Sequence, residues 1–434
     1  MKRFFCTFNC MKIEEIHYHF LKSSGISTDT RNIANDSIFF ALKGAHFNGN
    51  EFAQDAINKG AYKVIIDEEK YINDHSILVP NVLKALQELA TYHRVYLNIP
   101  IIALTGSNGK TTTKELVNVV LSKKFKTVAT IGNFNNHIGV PLTLLNMNKS
   151  TELGIVEMGA NHPGEIELLC AITKPDYGYI TNFGKAHIEG FGSLEGVIKS
   201  KSELYQYLRA ANKTVFVNNN DKNQKKNSEH IIKFTFGDES QDCAPQLIDS
   251  SSELRLSFEG LTIQSHLIGH YNFNNIAAAI TMGSYFGVDK MNIKKAIESY
   301  TPRNNRSQII KKETNTFILD AYNANPTSMM AALQNFIQVS SSNKIVFLGD
   351  MFELGDSSDE EHQYISNYLE KHFDGQCYLI GNAFYKTTSK VATIKKYRSF
   401  EDLKPILVST SFLNAYVLIK ASRGMALERI LNFF

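Results

Sequence analysis

The chain has 434 residues, of which 43% are hydrophobic and 21% are charged, and its formal net charge is only +3. This length and composition predict a globular protein of two to four domains, each with a buried core. No basic block stands out, which argues against nucleic acid as a partner. No apolar run approaches the length of a membrane span, so we expect no membrane contact either.

Residues 13 to about 97 alternate short strand and helix patterns, which predicts a small α/β domain over 1–97. Apolar runs at 37–42 and 61–66 are typical of strands, and 82–96 has a helical pattern. The first residues carry two charges and a short apolar stretch that Asn9 interrupts, so we expect no signal peptide. The five cysteines are odd in number and lack zinc spacing, which favours reduced thiols in the cytoplasm. The sequence does not decide between Met1 and Met11 as the first residue of the protein.

A glycine-rich turn follows the apolar run 99–104 and precedes a helical pattern. The turn runs from Thr105 to Thr113 and holds Lys110. A strand, a glycine turn and a helix start form a phosphate cradle, in which backbone N–H groups and a lysine face the phosphates and Thr111 can hold Mg²⁺. Leu104 stands where the usual P-loop has its first glycine, so the loop is tighter, which disfavours the GTPase and motor classes. A chance Gly-Lys-Thr in an ordinary loop is the alternative.

The stretch 98–300 predicts a central, doubly wound, P-loop ATPase-like domain. Near-continuous apolar runs indicate a parallel sheet covered by helices on both faces. The predicted strands are 101–104, 153–158, 177–181, 214–217 and 232–236. A meander at 254–258 and 261–267 and a helix at 272–286 follow. The polar stretch 218–228 predicts a surface loop.

Thr301-Pro302 marks a break, and residues 301–434 predict a C-terminal, Rossmann-like domain. Strand patterns at 317–319, 344–348 and 415–419 run into polar residues. Ligands of doubly wound sheets bind beyond the carboxyl ends of the strands. That rule makes candidates of four side chains at strand ends: Glu157, Asp320, Asp350 and Lys420.

Other candidate residues have two interpretations each. Glu157 could hold Mg²⁺ or be an ordinary loop acid, and His187 lies in a glycine-rich loop but could be structural. Lys201 would normally be a solvated helix lysine. Asparagines at 133–136 are typical of a turn, yet they could also donate to phosphates or a substrate amide. The run 320–326 has the same ambiguity.

Taken together, these motifs resemble the Mur ligase family, the ATP-dependent amino-acid ligases of peptidoglycan precursor synthesis. The resemblance covers nearly the whole chain. It includes 29–31, 39–44, the tight P-loop, 135–141, 156–159, 186–192, and the runs Asp320–Met329 and Leu348–Gly355. The last two runs are the most diagnostic. They are similar to the member that joins D-alanyl-D-alanine to UDP-N-acetylmuramoyl-tripeptide, whose third stem residue, lysine or diaminopimelate, stays open.

The resemblance implies that ATP phosphorylates the tripeptide's terminal carboxylate and that the dipeptide amine attacks the acyl phosphate. It implies a catalytic set of Lys110, Glu157, His187 and Lys201. ATP contacts are implied for Gly106, Ser107, Asn108, Gly109, Lys110, Thr111, Thr112, Asn275 (adenine), Arg306 and Asp320. Two Mg²⁺ ions are implied, with Thr111 and Glu157 on the first, His187 on the second, and Lys201 as a carbamate ligand. Substrate contacts are implied for Thr30, Arg31, Lys43, Asn135, Asn136, Tyr322, Asn323, Asn325 and Lys420.

Three departures from the family pattern stand out. Asn48-Gly49-Asn50 replaces a common Asp-Gly-His, Tyr271-Asn272 replaces His-Asn, and Lys420-Ala421-Ser422-Arg423 replaces Lys-Gly-Ser-Arg. None removes a phosphate or metal group. The alternatives are another ligase of the superfamily, such as folylpolyglutamate synthetase, and a nucleotide-binding module without catalysis. We expect a monomer.

Overall fold

The computed structural model describes residues 12–434. The two alternative starts and the thiols of Cys6 and Cys10 lie outside the described residues. The remaining cysteines, Cys170, Cys243 and Cys377, are buried. Burial raises the pKa of the Cys243 thiol to about 11, which disfavours its thiolate at neutral pH.

Two compact units make up the described chain. One holds the residues up to Ala103 together with Phe125–Gly159 and Glu165–Tyr177. The other holds Leu104–Lys124, Ala160–Gly164 and Gly178–Phe434. The domain boundaries expected at 97/98 and 300/301 stay predictions. No helix among residues 12–434 is both long and apolar enough to cross a membrane.

The N-terminal part contains a four-stranded parallel sheet in the order β1-β2-β5-β6 and a small antiparallel pair, β3-β4. Asn81 is the N-cap of its helix α3, and the Asn81 side chain accepts a hydrogen bond from the Lys84 amide. Its elements are α1 (Ile13–Lys22), β1 (Ile26–Ser27), β2 (Ile38–Phe40), β3 (Lys43–Gly44), β4 (Phe47–Asn48), α2 (Ala53–Asn58), β5 (Lys63–Ile66), β6 (Ser76–Leu78) and α3 (Val82–Leu97), with short 3-10 turns at Thr30–Asn32, Gly49–Phe52 and Glu69–Tyr71.

The central part contains a six-stranded sheet in the order β12-β11-β10-β7-β9-β8 and a three-stranded meander, β13-β14-β15. The pairs β8–β9 and β11–β12 are parallel, as the apolar runs predict. Its strands are β7 (Ile101–Thr105), β8 (Thr127–Ala129), β9 (Leu153–Glu157), β10 (Tyr177–Ile180), β11 (Thr214–Asn218), β12 (Ile232–Phe236), β13 (Gln246–Asp249), β14 (Glu253–Phe258) and β15 (Leu261–Ile268). Its helices are α4 (Lys110–Leu121), α5 (Gly139–Leu145), α6 (Glu165–Thr173), α7 (Ile188–Phe191), α8 (Leu194–Lys201), α9 (Glu203–Ala210), α10 (Lys222–Asn227), α11 (Tyr271–Tyr285) and α12 (Lys290–Ser299).

The prediction of a surface loop at 218–228 is wrong, because α10 occupies most of it. Asp221 caps this helix by accepting hydrogen bonds from the amides of Asn223 and Gln224. Gln224 is fully buried, and its side-chain oxygen accepts a bond from the Asn218 amide at 2.8 Å. A polar composition therefore concealed a capped helix with one buried amide.

The C-terminal part has a six-stranded sheet in the order β16-β17-β21-β18-β19-β20, parallel except for the β16–β17 pair. Alternate residues of β17 serve opposite cores: Phe317 and Leu319 enter one apolar cluster and Ile318 the other. Helices thus cover both faces, and the α/β prediction with doubly wound sheets is confirmed. The elements are β16 (Gln308–Lys312), β17 (Asn315–Asp320), α13 (Pro326–Ile337), β18 (Lys344–Gly349), α14 (Ser358–His372), β19 (Gln376–Ile380), α15 (Asn382–Lys386), β20 (Ile394–Tyr397), α16 (Phe400–Ser409) and β21 (Tyr416–Lys420), with 3-10 turns at Gly355–Ser357, Arg423–Met425 and Leu427–Phe433.

Candidate active site

The glycine turn lies between β7 and α4, as the sequence predicts. Gly106 has φ +139°, and a Cβ there would lie 2.0 Å from Thr181 Oγ1. Gly109 has φ +79°, and a Cβ there would lie 2.5 Å from Asn275 Oδ1. Both positions therefore exclude a side chain on conformational and steric grounds. The ammonium of Lys110 lies 2.6 Å from the Gly106 carbonyl, so the charge sits over the loop that would hold phosphates.

The segment after β10 holds this loop in place, a role that the sequence reasoning missed. The Ser107 amide donates to the Asn182 carbonyl at 3.0 Å, and the Asn108 amide donates to Asn182 Oδ1 at 3.1 Å. Thr181 Oγ1 donates to the Asn108 carbonyl at 2.5 Å. Polar residues directly after a buried strand were the available signal.

Asn275, the residue expected at adenine, lies beside the start of α4. Its Oδ1 accepts a bond from Thr113 Oγ1 at 3.0 Å, and its Nδ2 donates to Asn272 Oδ1 at 2.8 Å. It is 5% exposed. These bonds fix the amide orientation next to Gly109 and tie α11 to the phosphate loop.

The loop after β17 reaches the phosphate loop. Asn325 Nδ2 donates to Asn108 Oδ1 at 2.7 Å, and the Lys185 amide donates to Thr327 Oγ1 at 3.0 Å. Asn325 also caps α13, accepting from the Ser328 amide while the Ser328 hydroxyl accepts from the Asn325 amide. Tyr322 and Asn323 lie in the same loop.

An ion pair between a buried lysine and a half-buried aspartate joins the ends of β17 and β21. Lys420 Nζ lies 2.5 Å from Asp320 Oδ2, and Lys420 is only 2% exposed. Lys420 also donates to the Asn323 carbonyl at 3.3 Å. Asp320 Oδ1 accepts from the Ser307 amide at 3.2 Å, and the guanidinium of Arg306 lies 3.7 Å from the centre of the Tyr322 ring. Asp320 and Lys420, two candidates from the strand-end rule, are thus in direct contact.

His187 begins α7 with φ 54°, and its Nδ1 meets the Glu353 carboxylate. This contact lowers the pKa of Glu353. The Glu189 amide also donates to the Glu353 carbonyl at 3.3 Å. Because Nδ1 faces the carboxylate, Nε2 is the ring nitrogen left for another ligand. Glu353 lies in the run Leu348–Gly355, but no sequence pattern assigns a role to it.

Lys201 ends α8 and is 0% exposed, so its interpretation as a solvated helix lysine is wrong. Its Nζ donates to the Ala160 carbonyl at 3.0 Å and lies 5.0 Å from the centre of the Phe191 ring. Lysines are seldom fully buried. Any role proposed for Lys201 must therefore account for its full burial.

Three family descriptions match the chain in order: "Mur ligase family, catalytic domain" over 22–101, "Mur ligase middle domain" over 104–283, and "Mur ligase, glutamate ligase domain" over 305–422. The chain belongs to the Mur ligase family.

Relatives of this Mur ligase extend over most of its length. UDP-N-acetylmuramoyl-tripeptide–D-alanyl-D-alanine ligase of Bacillus subtilis (strain 168) is 33% identical over 94% of this chain and 92% of its own. MurF from Acinetobacter baumannii has 30% identity and a TM-score of 0.85 over 94% and 92% of the two chains. MurF ligase from Thermotoga maritima in complex with ADP has 27% identity and a TM-score of 0.83 over 96% and 97%.

In the other unit of this Mur ligase, Glu157 ends β9 and is 1% exposed. Its Oε1 accepts from Asn135 Nδ2 at 2.9 Å, so two candidate residues meet. Asn136 Oδ1 instead accepts from the amides of Ile138 and Gly139 at the start of α5, in agreement with the turn interpretation. Gly159 permits this packing, since a Cβ there would lie 2.7 Å from Asn135 Oδ1.

The nucleotide candidates of the N-terminal part, Thr30, Arg31 and Lys43, lie on its surface. Arg31 forms an ion pair with Asp29, and its hydrogen bonds lower the pKa of that carboxyl to about 2. Lys43 pairs with Asp67 at 2.8 Å and Glu68 at 2.9 Å, and these carboxylates raise its pKa. The departure at 48–50 is structural here: Asn50 is fully buried and donates to Asp67 Oδ1 at 2.9 Å.

Among residues 12–434, no three His, Cys, Asp or Glu side chains cluster as a metal site. Mg²⁺ typically takes one or two protein groups and completes its shell with water and phosphate oxygens. A hydroxyl such as that of Thr111 and a buried carboxylate such as that of Glu157 are each groups of the kind that Mg²⁺ accepts.

Proposed function

We propose that this chain joins D-alanyl-D-alanine to UDP-N-acetylmuramoyl-tripeptide with ATP, in the cytoplasm and as a monomer. The observation that carries the proposal is the hydrogen bond between Asn325 and Asn108. It brings the run 320–329, which is diagnostic within the family, to the phosphate loop. The full-length relatives that carry this activity in their names support it.

ATP is held by backbone amides of Gly106–Thr112 and by Lys110, with Asn275 toward adenine and Arg306 and Asp320 reaching from the C-terminal part. The terminal carboxylate of the tripeptide attacks the γ-phosphorus and ADP leaves. The dipeptide amine then attacks the acyl carbon, phosphate leaves, and an amide remains. Because a carboxylate must approach a polyphosphate, preorganised positive charge at Lys110 and Arg306 is the main contribution of the protein.

Thr111 and Glu157 are the ligands we propose for one Mg²⁺, and His187 with a carbamate on Lys201 for the other. The ions supply charge that offsets the repulsion between carboxylate and phosphates. Glu353 holds the His187 ring by its Nδ1 side. Asn135 holds the Glu157 carboxylate through Oε1.

The substrate contacts that we propose follow the family match. Thr30, Arg31 and Lys43 would meet the uridine nucleotide. The other proposed substrate-binding residues are Asn135, Asn136, Tyr322, Asn323, Asn325 and Lys420. Lys43 would have to exchange part of its pairing with Asp67 and Glu68 for the ligand, because one ammonium has three donors.

Product mass tests the proposal. The purified chain is incubated with ATP, Mg²⁺ and UDP-N-acetylmuramoyl-tripeptide carrying lysine or diaminopimelate, with D-alanyl-D-alanine, D-alanine or L-glutamate as the amine. We expect a product heavier by the dipeptide less one water only with D-alanyl-D-alanine. In a parallel incubation with a folate in place of the tripeptide, glutamate addition would favour the folylpolyglutamate synthetase alternative. ATP binding without any product would favour the non-catalytic module.

A further inference from the structure

The linker Tyr300–Ser307, between α12 and β16, has an unusual backbone around Arg306. Asn305 has φ 56° and Ser307 has φ 51°, so both neighbours of Arg306 are left-handed. Non-glycine residues seldom adopt this conformation, and it persists where surrounding contacts impose it. The side chains that contact the linker therefore determine where Arg306 lies.

Glu115 of α4 holds the first part of the linker. Its Oε2 accepts from the Tyr300 hydroxyl at 2.6 Å, and its Oε1 accepts from Asn304 Nδ2 at 2.9 Å. Helix α4 is the helix that Lys110 begins, so the linker is attached to the helix behind the phosphate loop. Two bonds to one carboxylate restrict both the position and the rotation of this part.

Tyr271, the first residue of α11, holds the last part. Its hydroxyl lies 2.8 Å from Ser307 Oγ, and the Ser307 amide donates to Asp320 Oδ1. The phenol ring packs against Gly269, where a Cβ would lie 2.5 Å from it. Tyr271 is also the position at which this chain departs from the histidine common in the family.

Arg306 lies between these two attachments with its guanidinium over the Tyr322 ring. Its Nε is buried and has no hydrogen-bond partner among the described residues. A buried donor left unpaired is costly, whereas an anionic oxygen would satisfy it with a strong, charge-assisted bond. The guanidinium of Arg306 therefore lies on the face of the Tyr322 ring, and its Nε can donate a hydrogen bond to a ligand.

We propose that Glu115 and Tyr271 are positioning residues that fix the linker on both sides and so aim Arg306 at the phosphates of ATP. The inference rests on the ATP contact of Arg306 in the proposed function. It adds two residues that touch neither nucleotide nor substrate. At position 271 the tyrosine hydroxyl supplies a hydrogen bond to the linker.

The test measures equilibrium binding of adenosine 5′-(β,γ-methylene)triphosphate with Mg²⁺ to the full chain. We expect Tyr271→Phe and Glu115→Gln each to weaken binding about fivefold, since each removes or weakens a half-buried hydrogen bond to the linker. In an Arg306→Ala background neither should weaken it further by more than about twofold. Ser307→Ala, which removes the partner of Tyr271, should match Tyr271→Phe and add nothing to it. Tyr378→Phe, which deletes a buried hydroxyl bonded to Gln376, should leave binding unchanged.

Equal weakening by Tyr271→Phe with and without Arg306 would overturn the inference, because a general structural effect does not need the guanidinium. Unchanged binding in both Tyr271→Phe and Glu115→Gln would also overturn it. Failure of the unmodified chain to bind the analogue would overturn its ATP premise. Binding with the expected coupling, in a chain that forms no dipeptide product, would support the inference while refuting the proposed ligation.

Discussion

The side chains of Asn325 and Asn108 are joined by a hydrogen bond of 2.7 Å, although 217 positions separate them in the sequence. Asn108 belongs to the phosphate loop, and Asn325 caps the helix that follows the β17 loop. Asn325 Oδ1 serves the helix while Nδ2 serves the loop, so one amide has two separable functions. The two functions respond differently to substitution.

Asn325→Ser should keep the cap but lose the bond to Asn108, because the serine hydroxyl can accept from the Ser328 amide and is too short to reach the loop. Asn325→Ala should lose both. We expect Asn325→Ala to lower the free energy of unfolding by about 1 kcal/mol more than Asn325→Ser. Both variants should lower kcat/KM for ATP by a similar factor. Urea unfolding and steady-state kinetics measure the two effects; equal stabilities would show that the cap contributes nothing.

The sequence predicts local features of this site well because they depend on short-range patterns. The strand before the phosphate loop, predicted at 101–104, is Ile101–Thr105, and the helix predicted at 82–96 is Val82–Leu97. The end residues of β17 and β21, Asp320 and Lys420, were found by the strand-end rule alone. Their direct contact depends on β17 and β21 being neighbours in the sheet, which no local pattern encodes.

Long-range roles were harder to predict. The burial of Lys201 follows from the packing of α8 and Phe191, and without the family resemblance its sequence is that of an exposed lysine. The Glu353 carboxylate contacts His187, which lies 166 positions earlier in the sequence. The Asn182 side chain accepts a hydrogen bond from the Asn108 amide, although the two residues follow different strands. Such pairs become visible only when the fold brings the loops together.

Lys110→Ala should lower turnover by about two orders of magnitude or more, because it removes the preorganised charge that we propose faces the transferred phosphate. Binding of the UDP-substrate should survive, since that contact is proposed for the N-terminal part. Lys123→Ala, at an exposed lysine just beyond α4, is the matched control and should keep full turnover. Steady-state kinetics with a separate binding measurement for the UDP-substrate check this. Near-normal turnover of Lys110→Ala would refute the phosphate-loop assignment.

A buried histidine pair predicts loss of stability in mild acid. His93 Nε2 lies 2.9 Å from the Met147 carbonyl and so carries its proton there, and His93 Nδ1 accepts from His17 Nε2 at 3.0 Å. Burial and then the neighbouring His93 lower the pKa of His17 to about 4. Since the unfolded chain binds this proton near pH 6.5, stability is fully present above that pH and falls as the pH drops from about 6.5 to 4. The loss attributable to His17 should be on the order of 3 kcal/mol.

His17→Gln keeps a donor toward His93 but cannot be protonated, so its unfolding free energy should fall less between pH 7 and pH 5 than that of the unmodified chain. His75→Gln, at an exposed histidine, should follow the unmodified chain. Urea unfolding at both pH values, followed by circular dichroism, provides the comparison. Parallel pH profiles for the unmodified chain and His17→Gln would show that the pair does not titrate with folding.

Lys201 gives the sharpest prediction, because its proposed role requires a change of charge. An ammonium beside Mg²⁺ would be repelled, whereas a carbamate would ligate the ion. Carbamate formation consumes the neutral amine and CO₂, and burial away from water disfavours the charged form of an amine. We therefore expect Lys201→Ala to be nearly inactive and to be partly rescued by acetate, which can occupy the vacated anion site. Activity of the unmodified chain should also fall when dissolved CO₂ is removed.

Lys199→Ala, two residues earlier on α8 and exposed, should keep full activity and show no response to acetate. Mass spectrometry under native conditions should detect the added CO₂ in the unmodified chain and not in Lys201→Ala. Full activity of Lys201→Ala without any added acid would refute the role.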